Sequence, residues 1–437
     1  MLVFAGLAFG LQLSAWAGES HPAGHPILAP AFQEEMNAQT NSVLSRSDEI
    51  KLLVDGKDCY PERWRMLEGA HTSIYFTTMY IFHDATTERL AAHLIRKRNE
   101  GVDVKIIVYG PYALGNPFIY RKLRKHGIEV KKHSSVTDVL LRNPWRFWSR
   151  HMHDKYLVVD GKEALLGGMN WSGRYERGGT FGGNAWRDTD ILVTGPQAKI
   201  IEKEFLKRWC QDESPESFNE YAMELDEMYK DLMHPPGLSY ADFIAPSPGD
   251  PYGVRTAHLT RFLYQQPFEQ DHVAYMTRFY EAVINKAQSH IYWQSIAIRP
   301  APRQFKALAD AAARGVDVRL MTNSKRNMRM IPIGGYPYYI LTRWGYRKLL
   351  DAGLRIFEYS GAAPLHAKGF VVDDVVAVIG SYNATFTSER HYTESAVAVH
   401  DTGLINDVLQ MFEQDFACCT EVTLEDLRGQ PEKHAKR

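Results

Sequence analysis

The first half of the chain alternates between apolar runs and amphipathic stretches. An apolar, β-type run over 73–80 precedes an amphipathic helix over about 85–100. The glycine of a Gly-Val-Asp-Val phrase then ends the helix, and the apolar residues up to 108 predict another strand. Strands that alternate with helices indicate βαβ units on a largely parallel or mixed sheet.

The second half repeats this order of elements. An apolar run over 290–297 precedes a helix over about 302–314, and a second Gly-Val-Asp-Val phrase follows at 315–318. Each half then continues with a helix that ends in glycine and a further strand, at 125–130 and at 351–356. The repeated order predicts a duplicated α/β domain.

Length and composition agree with two globular domains. A chain of 437 residues holds about two domains, and 45% hydrophobic with 24% charged residues is ordinary for a protein with sizeable cores. The formal net charge of −1 disfavours an extended surface for polyanions. The four cysteines lack the spacing of a zinc site, and both pairing and free thiols stay open.

The N-terminus and the middle of the chain differ from the two repeats. An apolar run ends in Ala15-Trp16-Ala17, which is typical of a cleaved export signal, although no lysine or arginine precedes the run. We therefore expect an exported protein, periplasmic or peripheral on the membrane. The predicted division is a signal-like segment (1–17), a flexible lead-in (18–47), a first domain (48–211), a linker rich in Pro, Ser, Asp and Glu (212–256), a second domain (257–420) and a tail (421–437).

Two copies of one motif carry the candidate chemistry. The pattern H-x-K-x4-D occurs twice, 213 residues apart, and each copy is followed at the same distance by G-[GS]-x-N. One copy could arise by chance, whereas two copies with the same spacing indicate a functional site. The motif residues are His153, Lys155, Asp160 and Asn170 in the first copy, and His366, Lys368, Asp373, Ser381 and Asn383 in the second.

These residue types suit phosphoryl transfer at a phosphodiester. Residues two apart on a strand share a face, so the histidine and lysine of each copy point the same way. Two lysines with Asn170, Asn383 and Ser381 can bind the non-bridging oxygens and stabilise the charge of the transition state. One neutral histidine can attack phosphorus, while the other protonates the leaving alkoxide and then activates water or an alcohol.

Each histidine also needs a partner that fixes its tautomer. Asp188 and Glu394 stand at the start of equivalent predicted strands and are the candidates. Asp160 and Asp373 are candidate catalytic residues, although an aspartate at a strand end serves a turn equally often. The sequence has no acidic or histidine cluster with metal spacing, so we predict neither a metal nor a cofactor.

The paired motifs resemble those of the phospholipase D superfamily over roughly residues 48–420. The Trp-Arg-Asp-Thr stretch at 186–189 and the exported character are similar to its cardiolipin synthase-like branch. The resemblance implies two tandem phospholipase D-like α/β sandwich domains that share one active site at their interface, without a metal. It also implies a covalent phosphohistidine on His153. Gly168 stands where the superfamily often has serine.

The resulting hypothesis is a phosphatidyltransferase or phosphodiesterase that acts on phospholipid at a membrane surface, with water or an alcohol as acceptor. Two aromatic and basic segments, 142–150 and 325–348, suit a lipid interface but also suit stacking on single-stranded nucleic acid. The alternatives are a nuclease of the same superfamily, which the net charge and the two copies disfavour, and an inactive lipid-binding module. The head group, the acceptor and the oligomeric state stay open.

Overall fold

The computed structural model describes residues 24–113, 116–133, 151–178, 183–210, 258–266, 273–331 and 334–428. The signal-like segment, the linker and the first aromatic and basic segment predicted above lie outside these residues. No helix in the described part of the chain is long and apolar enough to cross a bilayer.

Strands and helices alternate along both halves. The strands are β1 (Leu44–Ser47), β2 (Ile50–Val54), β3 (Ser73–Thr78), β4 (Asp103–Tyr109), β5 (Glu129–His133), β6 (His151–Met152), β7 (Tyr156–Val159), β8 (Glu163–Gly167), β9 (Thr189–Thr194), β10 (His258–Gln265), β11 (His290–Gln294), β12 (Asp317–Asn323), β13 (Arg355–Tyr359), β14 (Gly369–Val372), β15 (Val376–Gly380), β16 (Tyr392–Val399) and β17 (Cys419–Val422). The helices are α1 (Pro30–Thr40), α2 (Asp55–Gly69), α3 (Ala85–Asn99), α4 (Gly110–Ala113), α5 (Pro117–Lys125), α6 (Gly173–Glu176), α7 (Pro196–Cys210), α8 (Tyr275–Lys286), α9 (Pro302–Ala313), α10 (Lys325–Arg329), α11 (Gly335–Arg343), α12 (Tyr346–Asp351), α13 (Phe386–Arg390) and α14 (Thr402–Phe416).

The two halves have the same sheet topology. The strand order is β2-β9-β8-β7-β3-β4-β5 in the first half and β10-β16-β15-β14-β11-β12-β13 in the second. In each sheet the last three strands are parallel and the others antiparallel. The prediction of two tandem α/β domains is confirmed.

The described residues form three apolar cores, one of which joins the two halves. One core lies on the outer side of each sheet, and the third lies between the halves, where α7 and α14 contribute residues from both. Phe205 of α7 and Phe412 of α14 are both fully buried in this shared core. The halves therefore form one packed body, with the edges of the two sheets fixed relative to one another.

Matching glycines end matching helices. Gly101 and Gly315 each adopt a φ of +94°, the left-handed conformation that a residue after a helix commonly takes. A capping box at the start of α3, between Asp84 and Thr87, satisfies the first N–H groups of that helix. All four cysteines are free thiols.

The N-terminal lead-in is ordered where the structure describes it. Residues 24–47, predicted to be flexible, instead form a 3-10 turn, α1 and β1, and β1 pairs antiparallel with β10. The guanidinium of the buried Arg261 donates to Gln33 Oε1 at 2.8 Å and to Asn37 Oδ1 at 2.7 Å. Few apolar residues of this segment, among them Phe32 and Met36, reach the core, so its sequence carries little hydrophobic pattern. Its structure depends on partners far along the chain.

The end of the second domain also extends further than predicted. β17 pairs with β13 at the far edge of the second sheet, and a 3-10 turn follows at Glu425–Leu427. The predicted boundary at residue 420 therefore falls inside a strand.

Candidate active site

The two motif copies meet where the two sheets meet. In each copy the histidine and lysine directly precede a strand, β7 or β14, that runs antiparallel to the first parallel strand of its sheet. Both copies therefore lie at the carboxyl edge of the parallel strands. All four side chains are buried: His153, Lys155, His366 and Lys368.

The backbone of each half clamps the motif of the other. The His153 N–H donates to the carbonyl of Thr393 at 3.1 Å, and the His366 N–H donates to the carbonyl of Arg187 at 2.7 Å. β6 also pairs parallel with β16, so a strand of the first half extends the second sheet. These contacts fix both histidines relative to the opposite sheet.

The histidine–carboxylate pairs cross between the halves. His153 Nδ1 lies 2.9 Å from Glu394 Oε2, and His366 Nδ1 lies 2.7 Å from Asp188 Oδ2. Each carboxylate accepts a hydrogen bond from the Nδ1–H of its histidine, which leaves Nε2 as the nitrogen with a free lone pair. Each half thus supplies the histidine for one pair and the carboxylate for the other, and neither half contains a complete pair.

Different groups hold the two carboxylates. Glu394 accepts hydrogen bonds from the hydroxyls of Ser388 at 2.7 Å and Ser381 at 2.5 Å, whereas Asp188 accepts from the Thr189 N–H at 2.8 Å. Ser381 was predicted to bind phosphate, but its hydroxyl is fully buried against Glu394. Its observed contact is with the carboxylate that orients His153.

The same geometry explains the glycine in the first copy. A Cβ on Gly168 would lie 2.0 Å from Asp188 Oδ1, which is closer than any real contact. A serine at this position has no room unless Asp188 moves. Asp188 is shorter than its counterpart Glu394, and it reaches His366 from the space that a side chain at 168 would occupy.

The two asparagines are held by their amide oxygens. Asn170 Oδ1 accepts from the Met79 N–H at 3.1 Å and the Thr78 hydroxyl at 3.2 Å, and Asn383 Oδ1 accepts from the Ser295 hydroxyl at 3.2 Å. Since the oxygens are engaged, the amide nitrogens are the groups that can contact a substrate, and one N–H of Asn170 also donates to the Tyr175 hydroxyl at 3.4 Å. Phosphate binding by these asparagines stays a prediction.

Burial shifts the protonation of every charged group in the site. It lowers the pKa of Lys155 to about 8 and that of Lys368 to about 7, in spite of the nearby carboxylates. Burial, together with the two lysines, holds the pKa of both histidines well below the ordinary value. Burial also raises the pKa of Glu394 to about 8 and that of Asp188 above its usual range. The site therefore favours neutral imidazoles until an anionic ligand stabilises the two ammonium groups and the imidazolium that the chemistry requires.

The motif aspartates lie away from this chemistry. Asp160 accepts from the backbone N–H groups of residues 71–73 at 2.7–3.2 Å, and Asp373 accepts from those of residues 288–290 at 2.6–2.8 Å. Each stands at the opposite end of a four-residue strand from its lysine, which is about 16 Å along the strand. Both adopt positive φ, 54° and 51°, and open a hairpin turn. The structure therefore gives these two predicted catalytic residues a structural role.

The structure adds aromatic walls that the sequence prediction missed. The ring of Tyr392 lies 5.3 Å from that of His153, and Trp186 and Tyr175 lie 5.6 and 5.7 Å from His366. Tyr392 and Trp186 each stand two residues before the carboxylate of their half. That shared offset is the signal by which the sequence could have identified them.

The buried Arg63 of α2 stabilises the first motif copy. Its guanidinium donates to the carbonyls of Met169 and Asn170 and to Asp190 Oδ2, at 2.8–3.1 Å. The bend that presents Asn170 is therefore fixed by a buried ion pair. No group of three or more potential metal-ligating side chains occurs among the described residues.

A comparison with protein families matches both halves. The family model described as "Cardiolipin synthase, PLD-like domain" matches residues 64–209 and 280–416, which together contain both motif copies and both carboxylates. The chain belongs to this family. The predicted membership of the phospholipase D superfamily, in its cardiolipin synthase-like branch, is confirmed.

Similar proteins cover most of this phospholipase D-like chain. Cardiolipin synthase A of Pseudomonas fluorescens (strain SBW25) is 28% identical over 384 residues, which is 87% of this chain and 71% of that protein. Cardiolipin synthase of Geobacillus kaustophilus (strain HTA426) is 25% identical over 412 residues, or 94% of this chain and 73% of that protein. Among solved structures, phosphatidylserine synthase of Haemophilus influenzae Rd KW20 matches with a TM-score of 0.65 at 15% identity, covering 89% of this chain and 92% of that one. That structural likeness supports the fold.

Proposed function

We propose that this protein is a phosphatidyltransferase that moves a phosphatidyl group from a phospholipid to an alcohol through a phosphohistidine. The observation that carries the proposal is the pair of crossed histidine–carboxylate contacts, which build one site from two motif copies. The similar cardiolipin synthases support a phospholipid substrate.

In the first step His153 acts as the nucleophile. The lone pair of its Nε2 forms a bond to the phosphorus of the diester, and the bond from phosphorus to the leaving alkoxide breaks. The protonated His366 gives its Nε2 proton to that alkoxide. Glu394 keeps the proton of His153 on Nδ1 and stabilises the positive charge that the ring acquires. The resemblance to the superfamily, rather than a difference in geometry, assigns the nucleophile.

In the second step the same groups work in reverse. The neutral His366 takes the proton of the incoming alcohol, whose oxygen attacks phosphorus while the bond from phosphorus to His153 Nε2 breaks. Lys155 and Lys368 bind the non-bridging oxygens in both steps and stabilise the charge that builds there. Asp188 orients His366 throughout.

Two observations favour lipid over nucleic acid as the substrate. The net charge is −1, whereas binding an extended polyanion calls for a basic surface. The two relatives by sequence cited above are cardiolipin synthases. An inactive lipid-binding module is disfavoured because both sets of site residues are present and in contact.

Product analysis tests the reaction. Purified protein is incubated with mixed phospholipids, with and without glycerol or phosphatidylglycerol, and products are identified by mass spectrometry. A new diester that depends on the added alcohol supports transfer, while phosphatidic acid alone would assign hydrolysis. Cleavage of a single-stranded oligonucleotide without any lipid product would instead assign a nuclease.

Trapping tests the intermediate. His153→Ala should abolish turnover, and His366→Asn should still form the phosphohistidine from a nitrophenyl diester, whose leaving group needs no proton, but resolve it slowly. His126→Ala, at the exposed end of α5, is the matched control and should behave as wild type. Phosphate trapped on His366 would reverse the two histidine roles while leaving the site intact.

We further propose that the protein works peripherally on a membrane surface, because its phospholipid substrate resides there.

A further inference from the structure

A cationic cavity lies at the outer edge of the first sheet. It has a volume of about 460 Å³ and is formed by the end of α4, by α5 and by β5. Its lining residues are Ala113, Pro117, Tyr120, Arg121, Arg124, Lys125 and Lys132. Four positive charges converge on a space that could hold a phosphate with its substituents.

Most of these charges have no acidic partner among the described residues. Lys122, on the same helix, pairs with Glu88 at 2.8 Å and points away from the cavity lining. The side chains of Arg121, Lys125 and Lys132 are exposed and form no ion pair or hydrogen bond within the described ranges. An anion in the cavity would therefore meet cations that no carboxylate of the described residues already neutralises.

The end of α4 that lines the cavity lies at the same edge of the sheet as the active site. α4 directly follows β4, and its Tyr112 ring lies 5.4 Å from the Tyr109 ring. Ring contacts continue from Tyr109 to His151 at 4.9 Å, from His151 to Tyr392 at 5.0 Å, and from Tyr392 to His153 at 5.3 Å. A continuous row of rings thus joins Tyr112, the neighbour of the lining residue Ala113, to the proposed nucleophile.

Two exposed rings are neighbours of the cavity lining along the chain. Phe118, next to the lining residue Pro117, is 72% exposed, and Tyr112, next to the lining residue Ala113, is 41% exposed. The second half has the same arrangement beyond β12, where Met330, Leu341 and Trp344 are 40–48% exposed among basic residues of α10 and α11. Both apolar groups follow the carboxyl ends of parallel strands, so they flank the site from two sides.

The composition of these two exposed apolar groups favours a bilayer over nucleic acid as the partner. An aromatic ring beside arginines would stack on bases, but the aliphatic Met330 and Leu341 have no π-face to offer. Aromatic and aliphatic side chains with adjacent cations match the boundary between acyl chains and anionic head groups.

We infer that the α4–α5 cavity binds the phosphate of an anionic phospholipid head group and anchors the protein on a bilayer with the active site facing the lipid. Phe118 and Tyr112 enter the acyl boundary beside the head group. The inference rests on the proposed function, since a phospholipid substrate explains why the site should face a bilayer.

Vesicle binding in the absence of turnover tests the anchor. Partition is measured on phosphatidylcholine vesicles with and without phosphatidylglycerol, for wild type and for a triple variant Arg121→Gln, Lys125→Gln, Lys132→Gln. A basic residue at an anionic surface contributes about fivefold in partition, so the triple variant should bind on the order of a hundredfold more weakly to the anionic vesicles alone. Phe118→Ala should weaken the binding that persists at high salt.

A matched triple variant removes three charges from the opposite edge of the sheets: Lys51→Gln, Lys162→Gln and Lys286→Gln. These residues are exposed near the start of β2, in the turn between β7 and β8 and at the end of α8, on the edge where the parallel strands begin. Equal losses for the two triple variants would refute a specific anchor, as would unchanged binding of the first. Thermal unfolding checks that both variants remain folded.

Further measurements separate lipid anchoring from other functions of the cavity. Tight binding of glycerol 3-phosphate without vesicle binding would make the cavity a site for soluble phosphates, and loss of oligonucleotide binding alone would make it a nucleic-acid site; either overturns the anchor. Transfer activity in detergent micelles, where no bilayer is present, should be unaffected by the first triple variant. Failure of that activity in wild type would count against the proposed function, whereas the vesicle result would still decide the anchor.

Discussion

Replacement of Asp373 should reduce stability and leave the chemistry intact. The carboxylate accepts three backbone hydrogen bonds, from Gln288, Ser289 and His290 at 2.6–2.8 Å, and a fourth from His25 Nε2 at 3.0 Å. Asp373→Ala would leave these donors without an acceptor and would place alanine at a φ of 51°. At about 1–2 kcal/mol for each of the four lost bonds and about 1 kcal/mol for the backbone, the cost is roughly 5–9 kcal/mol, which could unfold the protein.

Asp373→Asn is therefore the more informative variant. Asparagine tolerates this backbone conformation and keeps one acceptor oxygen, so we expect a loss of about 1–2 kcal/mol in the free energy of unfolding. Burial alone would raise the pKa of Asp373, but the His25 side chain and the backbone N–H groups hold that pKa below its ordinary value. Its contribution to stability is then present above pH ~4, the unfolded pKa, and is lost as the pH falls through the folded pKa.

Urea unfolding and kinetics together decide whether Asp373 has a structural or a catalytic role. The difference between wild type and Asp373→Asn should be largest near neutral pH and shrink in acid, while kcat per folded molecule stays unchanged. Asp351→Asn, exposed at the end of α12, is the control and should alter neither quantity. A fall in kcat of about 100-fold or more, with stability unchanged, would place this aspartate in the chemistry and refute the assignment.

Four further expectations follow from the site. Since burial lowers the pKa of Lys155 to about 8 and that of Lys368 to about 7, kcat/KM should decline above pH 7–8 as the ammonium groups lose protons; a profile flat to pH 10 would contradict this. Glu394→Gln should lower kcat by roughly 10³-fold with little change in KM, because the wrong His153 tautomer would be favoured, and an unchanged kcat would remove Glu394 from this role. Activity should persist in EDTA, since the lysines offset the phosphate charge and the asparagines donate hydrogen bonds to it; reversible loss that one divalent ion restores would refute this. A fusion of residues 1–40 to a reporter active only after export should give signal, and an intact, silent fusion in the cytosol would contradict export.

The sequence predicted the repeated elements because each depends on local pattern. Helices that end in Gly101 and Gly315, and strands that follow them, are specified by neighbouring residues. The histidines, lysines and carboxylates of the site were also identified, since the duplication marks them twice. The sequence did not predict that each histidine contacts the carboxylate of the other half, because the same spacing allows each histidine to pair within its own half or across the interface.

Other features depend on contacts that spacing does not encode. Ser381 could have faced a substrate, and only its distance to Glu394 shows that it supports a carboxylate. Asp160 and Asp373 belong to the motif, yet a turn and three backbone donors explain each of them. β1 has too little apolar alternation to be recognised, since it is a short strand whose pairing with β10 lies far along the chain.

The pairing of β1 with β10 has a consequence for biosynthesis. Leu44 leaves the ribosome long before Arg261, the residue opposite it, so β1 must wait while an entire α/β half is made. Such distant pairing is slow, and meanwhile the strand is open to other partners. A shortened chain that begins after β1 would expose the edge of β10 and lose the acceptors of the Arg261 guanidinium. Gene fragments that keep one motif each would therefore not yield two self-sufficient halves, although the motifs themselves are duplicated.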